Sequence, residues 1–427
     1  FSHEPLLDSW DFLGDCMLRA SWGVSGKQPG DTYARFATYS TTANGNYIQN
    51  PAIIPTSIQL DNIKWESITS YDLGLELNLF DDRLYLEGDL YNKLTTNILF
   101  GNYSIPTSSG FPQLKYLNSG ELENKGWELM TEIRAIRQKN WYLSFSFNTS
   151  QNINAFTKLP ENFNTERSTS IGNGQYPLRV VEGEPIGSFF GFRYLGVWPS
   201  DEMVKATDAD GNILVDSEGK RIPFTYLGTY NFKGGDAIYE DINHDGKIDL
   251  NDVVYIGDSN PNFVGGFGTN LKYKNFNFAL NFNYRMGFDI VNRVAIDTEN
   301  MSGRHNQSKA VLNRWRVQGQ DEEGMLPRAY LNHPANYLGS DRFVEKGDFI
   351  RLNSITMGYR FSQTLCSKLG LRSANLAFSA RKLLTFTNYT GQDPEVSMNA
   401  SNPFWIGEDR ANTPPSKVFT LSLSIGF

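Results

Sequence analysis

The chain closes on Lys417-Val-Phe-Thr-Leu-Ser-Leu-Ser-Ile-Gly-Phe427, and the reading of this stretch decides the fold. Phe419, Leu421, Leu423, Ile425 and Phe427 fall on one side of an extended chain, and Thr420, Ser422, Ser424 and Gly426 on the other. A strand alternates with period 2, so one face is wholly apolar and the opposite face small and polar. That pattern suits a transmembrane β-strand, apolar toward lipid and polar toward a lumen. The alternative at this point is a half-buried strand of a soluble sheet.

Other segments repeat the pattern. Phe276, Phe278, Leu280, Phe282 and Tyr284 alternate with Asn277, Ala279, Asn281 and Asn283. Leu73, Leu75, Leu77 and Leu79 alternate with Gly74, Glu76 and Asn78, and Leu84, Leu86 and Leu90 with Tyr85, Glu87 and Asp89. Leu143, Phe145 and Phe147 alternate with Ser144, Ser146 and Asn148. The pattern predicts strands near 16–24, 70–79, 83–97, 126–136, 141–153, 263–272, 277–285, 349–360, 373–381 and 417–427. Their connections alternate between short and long. Phe80–Asp82, Arg137–Asn140 and Tyr273–Phe276 are short and Phe361–Arg372 fairly short, whereas 25–69, 98–125, 154–262, 286–348 and 382–416 are long. Membrane barrels have short periplasmic turns and long external loops, which puts Phe427 on the periplasmic side.

Composition agrees. Aromatics make up 14% of residues, with 29 Phe and 21 Tyr, as expected of a barrel with aromatic girdles. No apolar run reaches the ~18 residues of a membrane helix, so any crossing is by strands. A net charge of −8 without a clustered Lys/Arg face argues against nucleic acid as a partner. Cys16 and Cys366 define no disulfide framework. The opening Phe1-Ser2-His3-Glu4 carries no signal peptide, and for an exported protein the simplest expectation is a natural N-terminus further upstream. The best short helix candidate is Ser308–Trp315.

One loop carries ligand chemistry. Asp241-Ile-Asn243-His-Asp245-Gly246-Lys247-Ile248-Asp249-Leu-Asn-Asp252 has the spacing of a twelve-residue calcium loop. Oxygens fall at Asp241, Asn243 and Asp245, Gly246 makes the sharp turn, Lys247 offers its carbonyl, Asp249 acts through water and Asp252 closes the ring. The expected cofactor is one structural calcium ion; the alternative is an acidic Asx-turn loop without metal. Asp208-Ala-Asp210-Gly211-Asn212 lacks the later ligands and reads as a hairpin turn.

Catalytic signals are absent. His3, His244, His305 and His333 are scattered, and no nucleophile elbow, Cys-x-x-Cys or His-Glu-x-x-His occurs. Gly265-Gly266-Phe267-Gly268 is followed by no helix signal and fits close strand packing better than phosphate binding.

Several segments resemble the C-terminal part of a SusC/RagA-type TonB-dependent outer-membrane transporter. They are Cys16-Met-Leu-Arg-Ala-Ser-Trp-Gly-Val-Ser-Gly26, Lys64-Trp65-Glu66 with Tyr71-Asp-Leu-Gly74, Asp89-Leu-Tyr91-Asn-Lys93, Asn118-Ser-Gly120 through Asn124-Lys-Gly126-Trp-Glu128, Asp241–Asp252 with Ile256-Gly257 and Pro261, and Tyr389-Thr-Gly391-Gln-Asp393-Pro394-Glu395. The departures are Arg381-Lys382-Leu383, where the family has Asn-Leu, and His244, where it often has Gly.

The resemblance implies an all-β fold, a transmembrane antiparallel barrel of twenty-two strands of which residues 1–427 supply the last ten, with loop 154–262 external and carrying the calcium-type stretch. It also implies a plug and a barrel half outside this chain, a SusD-like surface lipoprotein partner, coupling to TonB through the missing part, and a lipid bilayer in a Gram-negative outer membrane. The implied function is active import of glycan oligosaccharides or peptides, not enzymatic. The alternatives are a SusC-like scaffold without transport and a soluble calcium-binding β-protein that adheres to glycans. The substrate-binding residues are unknown from sequence. Trp198, Phe404 and Trp405 are loop aromatics able to stack on sugars, although girdle or partner contacts suit each of them better.

Overall fold

The computed structural model describes residues 12–47, 50–161, 163, 166–168, 170–395 and 407–427. Its ten long strands follow one another in chain order along an antiparallel sheet. They are β1 (Leu13–Lys27), β2 (Glu66–Leu79), β3 (Leu84–Ser104), β4 (Gln113–Arg137), β5 (Trp141–Lys158), β6 (Phe263–Tyr273), β7 (Phe276–Met286), β8 (Phe349–Arg360), β9 (Ser373–Thr387) and β10 (Val418–Gly426). β1 and β10 are the two ends of that order. Among the described residues, no helix is long and apolar enough to cross a membrane.

The chain falls into two compact units. The first holds β1 to β3, nearly all of β4 and the outer part of β5; the second holds the rest of β5, β6 to β10 and most of the loop structure.

In the first unit the register carries the alternation from strand to strand. Leu75 pairs with Leu18, and Leu77 with Leu86, while Glu76 pairs with Glu87 and Gly74 with Asp89. The tight β2–β3 turn places Phe80, Asp81 and Asp82 all at positive φ, near +55°. Asp tolerates that region, whereas Phe80 adopts it at a cost.

The expected strand end at residue 97 and the expected long loop 98–125 are corrected here. β3 and β4 run on as a paired ribbon, and the connection shrinks to residues 105–112. The cause of the mistake is local. Asn97 (φ +55°) stands at the position opposite Gly120 (φ +73°), both outside the strand conformation, so the alternation breaks there although the pairing resumes at Ile98↔Ser119. The first strands also begin earlier than the periodicity suggests.

In the second unit Leu423 pairs with Leu376 and Leu421 with Phe378, while Ser422 lies opposite Ala377 and Thr420 opposite Ser379. The apolar row continues through Met357 and Tyr359 on β8 to Phe278 and Phe276 on β7. Gly268 fits the close-packing reading, because a Cβ there would sit 2.8 Å from the Leu280 carbonyl oxygen. Lys382 (φ +55°) and Leu383 lie where the β8–β9 register slips between Leu352↔Leu384 and Ser354↔Arg381, so the departure from the family's Asn-Leu falls in a bulge.

The loops of this unit build their own core from Phe190, Phe192, Phe224, Tyr226, Phe232, Tyr239, Ile248 and Leu338, all at most 5% exposed. The expected helix at 308–315 is a short 3-10 turn, Lys309–Asn313, capped by the Ser308 side chain. Short α-helices occur instead at Arg293–Glu299 and Gln363–Lys368. Cys16 and Cys366 form no disulfide.

Candidate pore wall and loop site

The polar face of the wall in the first unit is ionic. Arg19 on β1 reaches Glu76 at 2.5 Å, Glu87 at 2.8 Å and Asp89 at 3.1 Å, tying three strands together. Gly74 makes room for it: a Cβ there would lie 2.3 Å from Asp89 Oδ1 and 2.9 Å from Arg19 Nε. The apolar face cannot host such a cluster, because every carboxylate would meet hydrocarbon. The sequence shows Glu76, Glu87 and Asp89 in the lumen phase. The sequence reading did not identify the cluster; Arg19 shares that phase only through its register opposite Gly74, which the structure supplies.

In the second unit, the calcium-type stretch folds into a compact loop held by its own carboxylates. Asp241 accepts the Gly246 N–H at 2.8 Å and the Asp245 N–H at 3.2 Å, Asn243 Oδ1 also accepts from Asp245, and Asp245 accepts the Lys247 N–H at 2.8 Å. Asp252, with no exposed surface, accepts from Ile242 at 2.9 Å and from Asp249 at 2.8 Å. Asp249 accepts from Asn251 and completes a capping box with Asp252. Gly246 turns at φ +80°, as expected of the sixth position. His244 also has positive φ, +55°, which explains why a glycine suits that position.

Burial raises the Asp252 carboxyl to about 6, against the pull of its two backbone donors, and raises Asp241 as well. Among the described residues, no Lys or Arg forms an ion pair with Asp241, Asp245, Asp249 or Asp252. The donor set is one of hard oxygens, as calcium requires. No three of the side chains converge as a metal cage among the described residues.

A second polar centre escaped the sequence reading. Asp236, fully buried, accepts Arg328 Nε at 2.7 Å, the Tyr230 hydroxyl at 2.6 Å, the Lys233 N–H at 2.9 Å and Asn336 Nδ2 at 3.1 Å. Asn336 Oδ1 in turn accepts the Ala237 N–H at 3.0 Å. The Tyr230 and His333 rings meet tilted at 4.0 Å between centroids, His333 stacks on Tyr330 at 4.8 Å, and the Arg328 guanidinium covers Tyr330 at 5.1 Å. The partners lie about a hundred positions apart, and nothing local in the sequence joins them.

Asp208 accepts the Asn212 N–H at 2.8 Å beneath Gly211 at φ +83°, the hairpin turn expected. Trp198, partly buried, packs against the loop core with its ring centroid 6.0 Å from that of Phe224. Phe404 and Trp405 lie outside the described residues, as does His3. The Asp393-Pro394-Glu395 segment is clamped to β8, where Arg351 meets Asp393 at 2.5 Å and Glu395 at 2.7 Å.

A family described as TonB dependent receptor-like, beta-barrel, matches residues 8–212. TonB-dependent receptor P3 of Formosa agariphila is 31% identical over 418 residues, spanning 96% of this chain and 39% of that protein. TonB-dependent receptor SusC of Bacteroides thetaiotaomicron is 24% identical over 438 residues, 99% of this chain and 39% of the relative. The solved structure of the RagAB peptide importer in its 'open-open' state superposes with a TM-score of 0.75 at 20% identity, covering 99% of this chain and 41% of that one, a likeness of fold. The chain therefore spans about two-fifths of the length of these relatives.

Proposed function

From the premise that this chain belongs to the TonB-dependent receptor β-barrels of the SusC/RagA type, we propose that it forms part of the wall and outer loops of an outer-membrane importer for glycan oligosaccharides or peptides. The observation that carries this reading is the wall itself. In the second unit one face of the sheet is apolar in register from β7 to β10 and the alternate positions hold Ser, Thr and Asn; in the first unit the leucine rows of β2 and β3 alternate with the Arg19 ion cluster; within each unit this is the pattern of a lipid face backed by an aqueous lumen face. Receptors of this type are outer-membrane proteins, and the reading places this one in a Gram-negative envelope.

A surface lipoprotein of the SusD kind covering the loops, a plug within the lumen and energy from TonB complete the proposed machine. The test is uptake by the native organism. Deleting the gene abolishes import of at least one fluorescent oligosaccharide or oligopeptide, and restoring it restores import. Unchanged uptake across both panels in the deletion strain would favour the scaffold reading.

We further propose that the 241–252 loop holds a structural calcium ion through Asp241, Asn243, Asp245, the Lys247 carbonyl, Asp249 and Asp252. What supports it is a crowd of four carboxylates, one fully buried, with no basic partner among the described residues. The ion supplies positive charge that lets the loop stay compact; the chain's own part is to present oxygens and to turn sharply at Gly246.

A further inference from the structure

We propose that the turn between β8 and β9 is a lipid anchor. Its short helix, Gln363–Lys368, lies in the periplasmic leaflet and binds glycerophospholipid, with Leu365 and Leu369 among the acyl chains and Lys368 and Arg372 at the phosphates. This goes beyond import, since it depends on the barrel wall alone.

The wall fixes the height of the helix. Phe276 on β7 meets Tyr359 on β8 with ring centroids 4.5 Å apart, and Tyr359 meets Phe361 at 5.1 Å. Phe276 and Tyr359 belong to the apolar row, so these rings close the lipid face at its periplasmic end, where aromatic side chains settle at the membrane–water interface. Ser362 follows directly and caps the helix, its hydroxyl accepting the Leu365 N–H at 3.4 Å. The helix therefore begins at interfacial depth.

The wall also fixes the side. The Phe361 N–H donates to the Ala374 carbonyl at 3.0 Å, and the helix packs on β9. Ala374 is in phase with Leu376 and Phe378 of the lipid row and is only 8% exposed, whereas Asn375, in the opposite phase, is exposed. The turn leans over the lipid face and leaves the lumen side open.

The residues of the turn suit that place. Cys366 is buried, while Leu365 and Leu369, four positions apart on one face, are 43% and 65% exposed. In water this pair stays wet; in an acyl layer it is matched. Lys368 stands one turn from Leu365, and among the described residues neither Lys368 nor Arg372 forms an ion pair. A long cationic side chain beside an apolar face is the pattern of an interfacial helix, its stem on hydrocarbon and its charge at the phosphate. No Asp or Glu occurs from Phe361 to Arg372, so nothing in the turn repels an anionic headgroup.

The test uses the full-length receptor in vesicles of phosphatidylcholine and phosphatidylglycerol, with a fluorescent label on Leu369→Cys and the other cysteines replaced. If replacing the buried Cys366 prevents folding, it is kept, because the folded protein shields it from the label. The expected result is quenching by lipids brominated in their acyl chains and little quenching by aqueous iodide. A label on Ser367→Cys, on the polar face of the helix, should show the reverse. Quenching by brominated phosphatidylglycerol should exceed that by brominated phosphatidylcholine. Lys368→Gln with Arg372→Gln should remove the excess, up to about fivefold for each cation near the surface. Iodide quenching of the Leu369→Cys label without bromolipid quenching would put the helix in water and overturn the proposal. Quenching by neither would mean that another part of the receptor covers it, and would overturn it equally. Equal quenching by the two lipids in the parent would remove the phosphate contacts.

Discussion

Arg328 Nε donates to Asp236 Oδ1 at 2.7 Å, and the acceptor has no exposed surface. A buried carboxylate is tolerated only when paired and fully hydrogen-bonded, and four groups serve Asp236. Asp236→Ala leaves Arg328 and Asn336 facing an empty site. The expected cost is roughly 3–5 kcal/mol for breaking a buried pair. Hydrogen exchange should show lost protection in the 224–239 and 325–340 segments with β6 to β10 still protected. Loss of the strands as well would mean that the loop core and the wall unfold as one.

Leu423 lies in the apolar row, paired with Leu376. Leu423→Arg places a cation in hydrocarbon and is expected to cost roughly 2–4 kcal/mol near the midplane. Ser422→Arg, one residue away on the lumen face, should cost far less. Reversible unfolding in lipid vesicles measures both, and equal costs would remove the assignment of faces.

Gly74 has no room for a side chain beside Arg19 and Asp89. Gly74→Val is expected to expel the Arg19 guanidinium from its three carboxylates and loosen β1, the end strand. Proteolysis near residues 13–27 would report this as faster cleavage. Cleavage at the wild-type rate would show that the ion cluster contributes nothing to holding β1.

The calcium proposal is checked by titration. Wild-type receptor should take up one calcium ion, and chelation should raise protease sensitivity within 241–252. Asp245→Ala should abolish uptake while the barrel still assembles. A loop equally resistant with and without chelator would leave the Asx-turn hydrogen bonds as its sole support.

His333 has its pKa lowered, first by burial, then with Arg328 pushing down against the opposing pull of Asp236. A lowered histidine is neutral in the fold and takes up its proton more readily when unfolded. Its effect is therefore absent above the unfolded pKa near 6.5, and stability is lost as pH falls below it. The loop core around His333 should lose exchange protection as pH falls below about 6.5, and His333→Gln should flatten that slope. An identical slope in the variant would assign it to other groups.

The strands were legible because a two-sided environment writes itself into every second residue, as Phe419 to Ile425 show. Strand ends were not, because the alternation of β3 and β4 breaks at Asn97 and Gly120 although the pairing continues beyond them. The calcium-type loop was readable as a shape, since Gly246 and the Asx positions are local. The Asp236 centre was not. Its members come from segments far apart in the chain, brought together by a core whose residues carry no periodic signal.

Asn97 and Gly120 face each other at the inner of two breaks in the β3–β4 ribbon, the outer one lying at Asn102, also at positive φ. Two opposed residues outside the strand conformation make a mechanical joint. Bending of the outer part of the ribbon concentrates at that point, where there is least stiffness to overcome, and does not travel down the hydrogen-bond ladder. The membrane-level part of β3 and β4 is thereby isolated from whatever pushes on its far end, much as a flexible coupling isolates a shaft. A rigid ribbon of the same length would act as a lever on the bilayer.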